Sequence, residues 1–281
     1  MSQPRRTAAL MADTLCRIVG RRQVVRAARY TLNRARLDLP NEPTTNGEYD
    51  VQRWVLGATA PNQPVTVFDI GANVGDWSRA MLDQAVRTGH ADNVALHVFE
   101  PDGYAHSRLS TQLPSGVRIN RLAVSDRTGP LTFYTVAPGA GTNSAYATST
   151  GHVASTAENV IATTIDEYRR VNDIGRVNLA KIDTEGHDFL VLVGAEVSLR
   201  NQAIDMVQFE YNHRWVYARR FLKDVFDLVV PYGYVVGKVT PRGIEVYPHW
   251  DPDLETFVEG NYLACTAQLA HRLQRIPWWK C

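Results

Sequence analysis

Val65-Thr66-Val67-Phe68-Asp69-Ile70-Gly71-Ala72-Asn73-Val74-Gly75-Asp76 decides the fold. Its first six residues form an apolar, β-branched run of the kind found in strands buried on both faces. Gly71 ends the run, Gly75 follows, and a helical pattern begins at about Trp77 and continues to Thr88. A buried strand that turns through glycine into a helix opens a βαβ unit. In open sheets built from such units, ligands lie outside the carboxyl ends of the strands, where this turn falls. Gly71 and Gly75 allow a tight turn and close backbone approach, and the helix start offers free N–H groups. The nicotinamide fingerprint G-x-G-x-x-G is not met, because Asn73 occupies the place of its second glycine. Two glycines separated by three residues, behind an acid, instead suit a ligand with an amino-acid portion. Asp69 would take the ammonium group, directly or through water, while Asn73 and backbone groups hold the carboxylate. The competing reading is a turn with a purely structural role.

Outward from this stretch, β-rich runs alternate with helical ones. Strands are predicted at 95–99, 117–124, 131–136, 177–182, 206–210, 234–239 and 261–265, with helices near 104–113, 188–200 and 217–231. Alternation of this kind predicts an α/β fold with a Rossmann-like, doubly wound, mostly parallel sheet. The turn Pro241-Arg242-Gly243 between late strands predicts an antiparallel edge. A polar connector at 39–47 separates residues 1–48, a helical extension with its linker, from a single domain over 49–281.

Two further strand ends stand in phase with the first turn. The second closes on Phe99-Glu100-Pro101. A carboxylate there accepts both hydroxyls of a ribose cis-diol; the alternative is an acid stabilised at a helix N-terminus. The third closes on Ala123-Val124-Ser125-Asp126, whose small residues leave room for an adenine and whose Ser125 or Asp126 would meet its amine. A Ser-Asp turn explains the same residues equally well. Together the three strand ends describe one pocket for S-adenosylmethionine.

Composition sets bounds on the rest. The chain has 281 residues, 44% hydrophobic and 21% charged, as in an ordinary globular protein, which excludes a disordered chain. Cys16, Cys265 and Cys281 are scattered without C-x-x-C spacing, so neither a disulfide framework nor a zinc ribbon is expected, and a reducing, cytoplasmic setting is. No apolar run reaches the ~20 residues that span a bilayer. The net charge of +1 conceals an asymmetry: residues 1–36 carry nine arginines and one acid, leaving the remainder net acidic. Met11, Leu15, Ile18, Val25 and Leu32 fall near one helical face among those arginines. A basic amphipathic helix of this type suits peripheral contact with an anionic membrane surface or an acidic partner; packing on its own domain is the plainer expectation. Nucleic acid is not an expected partner, because the basic stripe is confined to this segment.

The densest polar cluster is Lys181-Ile182-Asp183-Thr184-Glu185-Gly186-His187-Asp188, at a fourth parallel strand end. It resembles the K-[IV]-D-x-E-G-x-[ED] signature of the FkbM family of S-adenosylmethionine-dependent methyltransferases. The turn at 69–75, Phe99-Glu100-Pro101 and Ala123-Val124-Ser125-Asp126 are similar to that family's cofactor motifs in the same order. The segments 160–168 and 207–212 resemble its lead-in to the fourth strand and its acidic fifth strand end. The similarity covers about residues 65–265 and implies a class I methyltransferase fold. It also implies methyl transfer to a hydroxyl of a saccharide, a glycosylated or a polyketide-type metabolite. A Ser-containing element of the family implies cofactor or substrate contact for Ser144, within a Gly-, Ala-, Ser- and Thr-rich loop at 137–157.

An alcohol needs a base as the bond forms, which contributes roughly 10²–10⁴-fold. The candidates are Asp183, Glu185, His187, Glu210 and His213, with Asp183 the first choice and Glu210 facing it from the adjacent strand. Lys181 is expected to pair with an acid. Asp183, Glu185 and Glu210 would also suit Mg²⁺, although their spacing is no diagnostic metal motif and metal is not the favoured expectation. Two other functions compete: a nicotinamide-dependent oxidoreductase, disfavoured by Asn73, and a non-catalytic protein docking to an anionic surface through its basic helix.

Overall fold

The computed structural model describes residues 3–147 and 155–280 and divides into two compact units, 1–40 and 41–281. The first unit consists of α1 (Gln3–Val19) and α2 (Arg21–Ala35), separated at Gly20, whose φ of 89° favours glycine. The single helix expected over this segment is therefore two. Leu10, Met11, Leu15, Ile18, Val25 and Leu32 are exposed, and none of the residues of α2 is buried. Among the described residues, no helix is long and apolar enough to cross a membrane.

The second unit begins with α3 (Glu48–Ala58), which the sequence reading did not resolve as a helix. It continues through β1 (Val65–Ile70), α4 (Asp76–Arg87), β2 (Val94–Phe99), α5 (Gly103–Gln112) and β3 (Arg118–Asn120). Next come β4 (Ala123–Val124), β5 (Gly129–Thr135), β6 (Thr156–Thr163), α6 (Ile165–Val171) and β7 (Val177–Ile182). After α7 (Asp188–Val193), α8 (Glu196–Arg200) and β8 (Ile204–Tyr211), two helices follow, α9 (Trp215–Ala218) and α10 (Leu222–Val229). The chain ends with β9 (Tyr234–Thr240), β10 (Gly243–Tyr247), β11 (Gly260–Thr266) and β12 (Arg275–Pro277).

Nine strands form one sheet in the order β12-β10-β9-β11-β8-β7-β1-β2-β3. β1 lies parallel to both β2 and β7, and β7 is parallel to β8. β11 runs antiparallel to β8 and β9, and β10 antiparallel to β9 across the predicted turn, so the parallel centre and antiparallel edge are both present. The order reverses beside β1, since β2 and β3 lie on one side of it and β7 and β8 on the other. Such a reversal opens a crevice at the carboxyl ends of the strands.

Helices cover both faces. Phe68, Ile70, Ala180, Ile182, Val207 and Phe209 belong to one buried cluster, and Val65, Val67, Leu179, Met206 and Leu263 to the other. This alternation along each strand follows from the two-residue period of the pleat. On the first face, Phe68, Phe99 and Tyr168 meet edge to face, with Phe99 and Tyr168 4.6 Å apart between ring centroids.

The run expected as one strand over 117–124 is two. β3 stays on the main sheet, whereas β4 joins a separate sheet of order β4-β6-β5. Periodicity sees an extended run but not a change of partner. The helix expected over 188–200 breaks at Gly194, where a Cβ would stand 2.0 Å from the Ser125 carbonyl oxygen. The expected loop over 137–157 is described up to Ala147 and again from residue 155, by which point β6 is beginning. Residues 148–154, like Cys281, lie outside the described residues.

Candidate active site

A cleft of about 180 Å³ opens at the carboxyl ends of β1, β2, β4 and β7. The turn after β1 supplies Gly71 and Asn73, and the end of β2 supplies Glu100 and Pro101. Ala123 and Val124 of β4, with Leu131 and Phe133 of β5, form an apolar floor. Asp183, Thr184, Glu185 and His187 come from the turn after β7, and Gly139, Ala140, Gly141, Asn143 and Ala145 from the loop beyond β5.

Gly71 has a φ of 79°, and a Cβ on it would stand 1.8 Å from the Asp183 carbonyl oxygen, so the β1 and β7 turns interlock there. Asn73 also takes a left-handed conformation, with φ 48°; its Oδ1 is buried and has no partner among the described residues. Gly75 does not line the cleft. It caps α4, and its missing Cβ leaves space for Leu109.

Glu100 is buried, and each of its oxygens accepts one backbone N–H: Oε2 from Asn73 at 2.8 Å and Oε1 from Asp102 at 2.8 Å. A carboxylate has about four acceptor positions, so two remain for a ligand. Burial pushes its pKa up to about 7, against the pull of those two N–H groups.

Asp69, expected to take an ammonium group, is placed elsewhere. Its side chain points to the opposite sheet face, fully buried, where Ser78 Oγ donates to Oδ2 at 2.6 Å and Lys181 Nζ lies 3.6 Å from Oδ1. Burial raises its pKa, and the Lys181 charge opposes the rise. Lys181 also reaches Asp183 Oδ2 at 3.2 Å. Burial works against the lysine's charge, but Asp183, Asp69 and Glu48 outweigh it and raise its pKa. The expected pairing of Lys181 with an acid is present twice over.

Asp183 stands on the cleft wall with its side chain one-third exposed, at 34%. Glu185 lines the same wall, paired with Arg214 at 2.9 Å. Glu210 and His213 do not line it. Glu210 is buried and accepts from Asn41 Nδ2 at 3.0 Å and from Asn212 Nδ2, and burial, with Asp183 and Glu185 nearby, holds its pKa well above the carboxylate range. His213 is exposed. Among the described residues, no group of three or more acids, histidines or cysteines is placed to hold a metal ion. Asp183, Glu185 and Glu210 are instead bound to a lysine, an arginine and two amides respectively.

Ser125 also lies off the cleft, buried between Asp126 and His187. Ser144 is buried and donates to the Glu185 carbonyl oxygen at 2.9 Å, tying its loop to the turn after β7. Asn143 donates to Asp102 Oδ2 at 3.1 Å, a second tie to the end of β2. The sequence reading missed the floor residues Leu131 and Phe133, although their alternation in a predicted strand was a usable signal. Nothing in the sequence marked Arg214 or Asn143.

A doubly wound sheet with its order reversed beside β1, β11 inserted antiparallel between β8 and β9, and a cleft at the strand ends defines a Rossmann-like, class I methyltransferase fold. The chain belongs to the FkbM methyltransferase family: residues 69–236, more than half of its length, match the methyltransferase FkbM domain. That membership sets aside the nicotinamide reading. Among solved structures, it is similar to the precorrin-6y C5,15-methyltransferase of Geobacter metallireducens GS-15. The TM-score is 0.37 and the identity 10%, over 78% of this chain and 88% of that chain. No curated protein matches the chain.

Proposed function

We propose that this protein is an S-adenosylmethionine-dependent O-methyltransferase acting on a hydroxyl of a saccharide, a glycosylated or a polyketide-type metabolite. The observation that carries this reading is the convergence of Gly71, Asn73, Glu100, Ala123, Val124 and Asp183 on one cleft. The residues fit the cofactor. Glu100 keeps two acceptor positions for a ribose diol, the orphaned Asn73 Oδ1 calls for a donor, and the floor of β4 and β5 suits a flat ring. The bound cofactor supplies an electrophilic methyl group on a sulfonium.

The chain's own residues then have two tasks. The walls must hold the acceptor oxygen in line with the methyl carbon, since positioning supplies much of the acceleration in such displacements. Asp183, the cleft-facing carboxylate, takes the hydroxyl proton as the oxygen–carbon bond forms. Lys181 fixes Asp183 through Oδ2 and leaves the other oxygen for that proton. Glu210 is assigned a structural role, because it lies off the cleft and both its oxygens are taken by amide donors, Asn41 and Asn212. The partner of the N-terminal unit in this proposal is an anionic membrane surface, supported by its arginines and exposed apolar residues.

Calorimetric titration of S-adenosylhomocysteine into the full chain, in EDTA and then with Mg²⁺, tests the cofactor. Micromolar binding in EDTA is expected, and absence of binding under both conditions removes the reading. Asp183→Ala is expected to lower kcat by at least about 10²-fold with little change in acceptor affinity. An unchanged kcat would transfer the proton to another residue.

A further inference from the structure

We infer that His187 reads the exocyclic amine of adenine through its Nδ1 atom, and so selects an adenosyl group over other purine nucleosides. The inference rests on the cofactor reading above and deepens it. Its first support is a chain of hydrogen bonds that fixes the histidine tautomer. The Ser125 hydroxyl donates its one proton to Asp126 Oδ1 at 2.9 Å. The same oxygen stands 2.9 Å from His187 Nε2, and with its proton committed it serves there as an acceptor. Nε2 therefore carries the imidazole proton, and Nδ1 holds a lone pair.

The second support is that this lone pair is unmatched. His187 is 5% exposed and lines the cleft. Its Nδ1 is buried and has no hydrogen-bond partner among the described residues. Leaving a buried acceptor unmatched is unfavourable, so this is a place where a ligand N–H belongs. The third support is location. Ser125, which anchors the ring, directly follows Ala123 and Val124 of the apolar floor, and the Tyr146 ring packs against the imidazole at a tilt, with centroids 5.7 Å apart. A flat heterocycle seated on that floor would lie within reach of His187, which lines the same cleft.

Adenine offers an amine at its six position, whereas a 6-oxo purine offers a carbonyl oxygen. A fixed Nδ1 lone pair accepts from the first and repels the second. Burial pulls the pKa of His187 down to about 4, with Asp126 and Arg127 acting in opposite directions, so the ring stays neutral and the lone pair stays available near neutral pH. His187 thereby leaves the set of proton-transfer candidates and becomes a binding residue.

The test compares two ligands on the full chain by calorimetry, S-adenosylhomocysteine and its deaminated analogue S-inosylhomocysteine. The wild type is expected to favour the adenosyl compound by about tenfold or more, the worth of one buried hydrogen bond. His187→Leu should weaken the adenosyl compound by a similar factor and leave the inosyl compound no weaker than before, so that discrimination collapses. His187→Asn, which can present an amide oxygen near the Nδ1 position, should restore part of it. Adenosyl binding with discrimination unchanged in His187→Leu overturns the inference while leaving the cofactor reading intact. Failure of both compounds to bind the wild type overturns the two together. If His187→Leu does not fold, Ser125→Ala serves: releasing the tautomer should narrow the discrimination, and an unchanged ratio overturns the inference.

Discussion

At the scale of single residues, Glu100 carries the clearest pH signature. A ribose diol donates to an ionised carboxylate, and burial has moved this group's pKa to about 7. Binding of S-adenosylhomocysteine is therefore expected to strengthen as pH rises from 6 to 8, as the carboxyl gives up its proton. Glu100→Gln should weaken binding at pH 8 by about 1.5–3 kcal/mol and flatten the pH profile; a profile as steep as the wild type's would assign the titration to another group. Lys181 has a different consequence. It neutralises Asp69 and Asp183 and lies close to Glu48, on a sheet face where Gln208 and Asn261 continue the polar row toward Glu48. Lys181→Met removes a buried cation from the buried carboxylates Asp69 and Glu48, at a cost of about 3–5 kcal/mol. The sign with pH follows from the raised pKa values of Asp69 and Glu48. Their contribution to stability is complete below the unfolded carboxylate pKa and is lost as pH rises through the folded values, about 7 for Glu48. The deficit of Lys181→Met, measured by urea unfolding, should therefore be larger at pH 8 than at pH 5.

At the scale of elements, the loop after β5 is closed by a backbone bridge between Tyr134 and Ser144 and tied to the cleft by two side chains. Asn143 ties it to the end of β2 and Ser144 to the turn after β7. Both ends of the cleft are thus joined through one short segment. Ser144→Ala leaves the Glu185 carbonyl without that donor, a loss of about 1–3 kcal/mol that falls on the loop and not on the sheet. The expected outcome is faster amide exchange across 137–146 and faster release of S-adenosylhomocysteine, with the urea midpoint little changed. A large drop in the midpoint would mean that the loop is part of the cooperative core. The β1 turn is the rigid counterpart. Gly71→Ala drives a Cβ into the Asp183 carbonyl from a left-handed backbone, so it should destabilise the chain by at least about 2 kcal/mol and abolish cofactor binding.

At the scale of the whole molecule, charge is divided unevenly between two units. Residues 1–36 hold nine of the arginines, while the unit with the cleft is net acidic. Co-sedimentation of the full chain with vesicles checks the proposed surface contact. Binding is expected to vesicles containing anionic phosphatidylglycerol and not to neutral phosphatidylcholine, and to weaken with salt. Replacing Arg22, Arg26 and Arg29 together with glutamate should abolish it. Equal binding to both vesicle types, or to neither, would count against an anionic surface as the partner.

Much of this protein was legible in its sequence because its central strands are buried on both faces, so each reads as an apolar run without tertiary context. Val65 to Ile70, the glycine turn and the strand-end residues Glu100, Ala123 and Asp183 needed only the rule that such sheets bind at their carboxyl ends. The antiparallel edge followed from one short turn. What the sequence left open depends on which face a side chain takes and what it meets there. Asp69 and Ile70 are neighbours in the strand, yet the pleat sends Asp69 to Ser78 and Lys181 and leaves Ile70 at the cleft. Glu210 is removed from the cleft by amides 169 and two residues away in the chain. The transfer of β4 to a second sheet, the tautomer of His187 and the pairing of Glu185 with Arg214 were likewise decided by distant partners. Local pattern fixes where a strand runs and ends, because that depends on neighbours in sequence; the state of a buried polar group depends on partners that only the packed chain brings within reach.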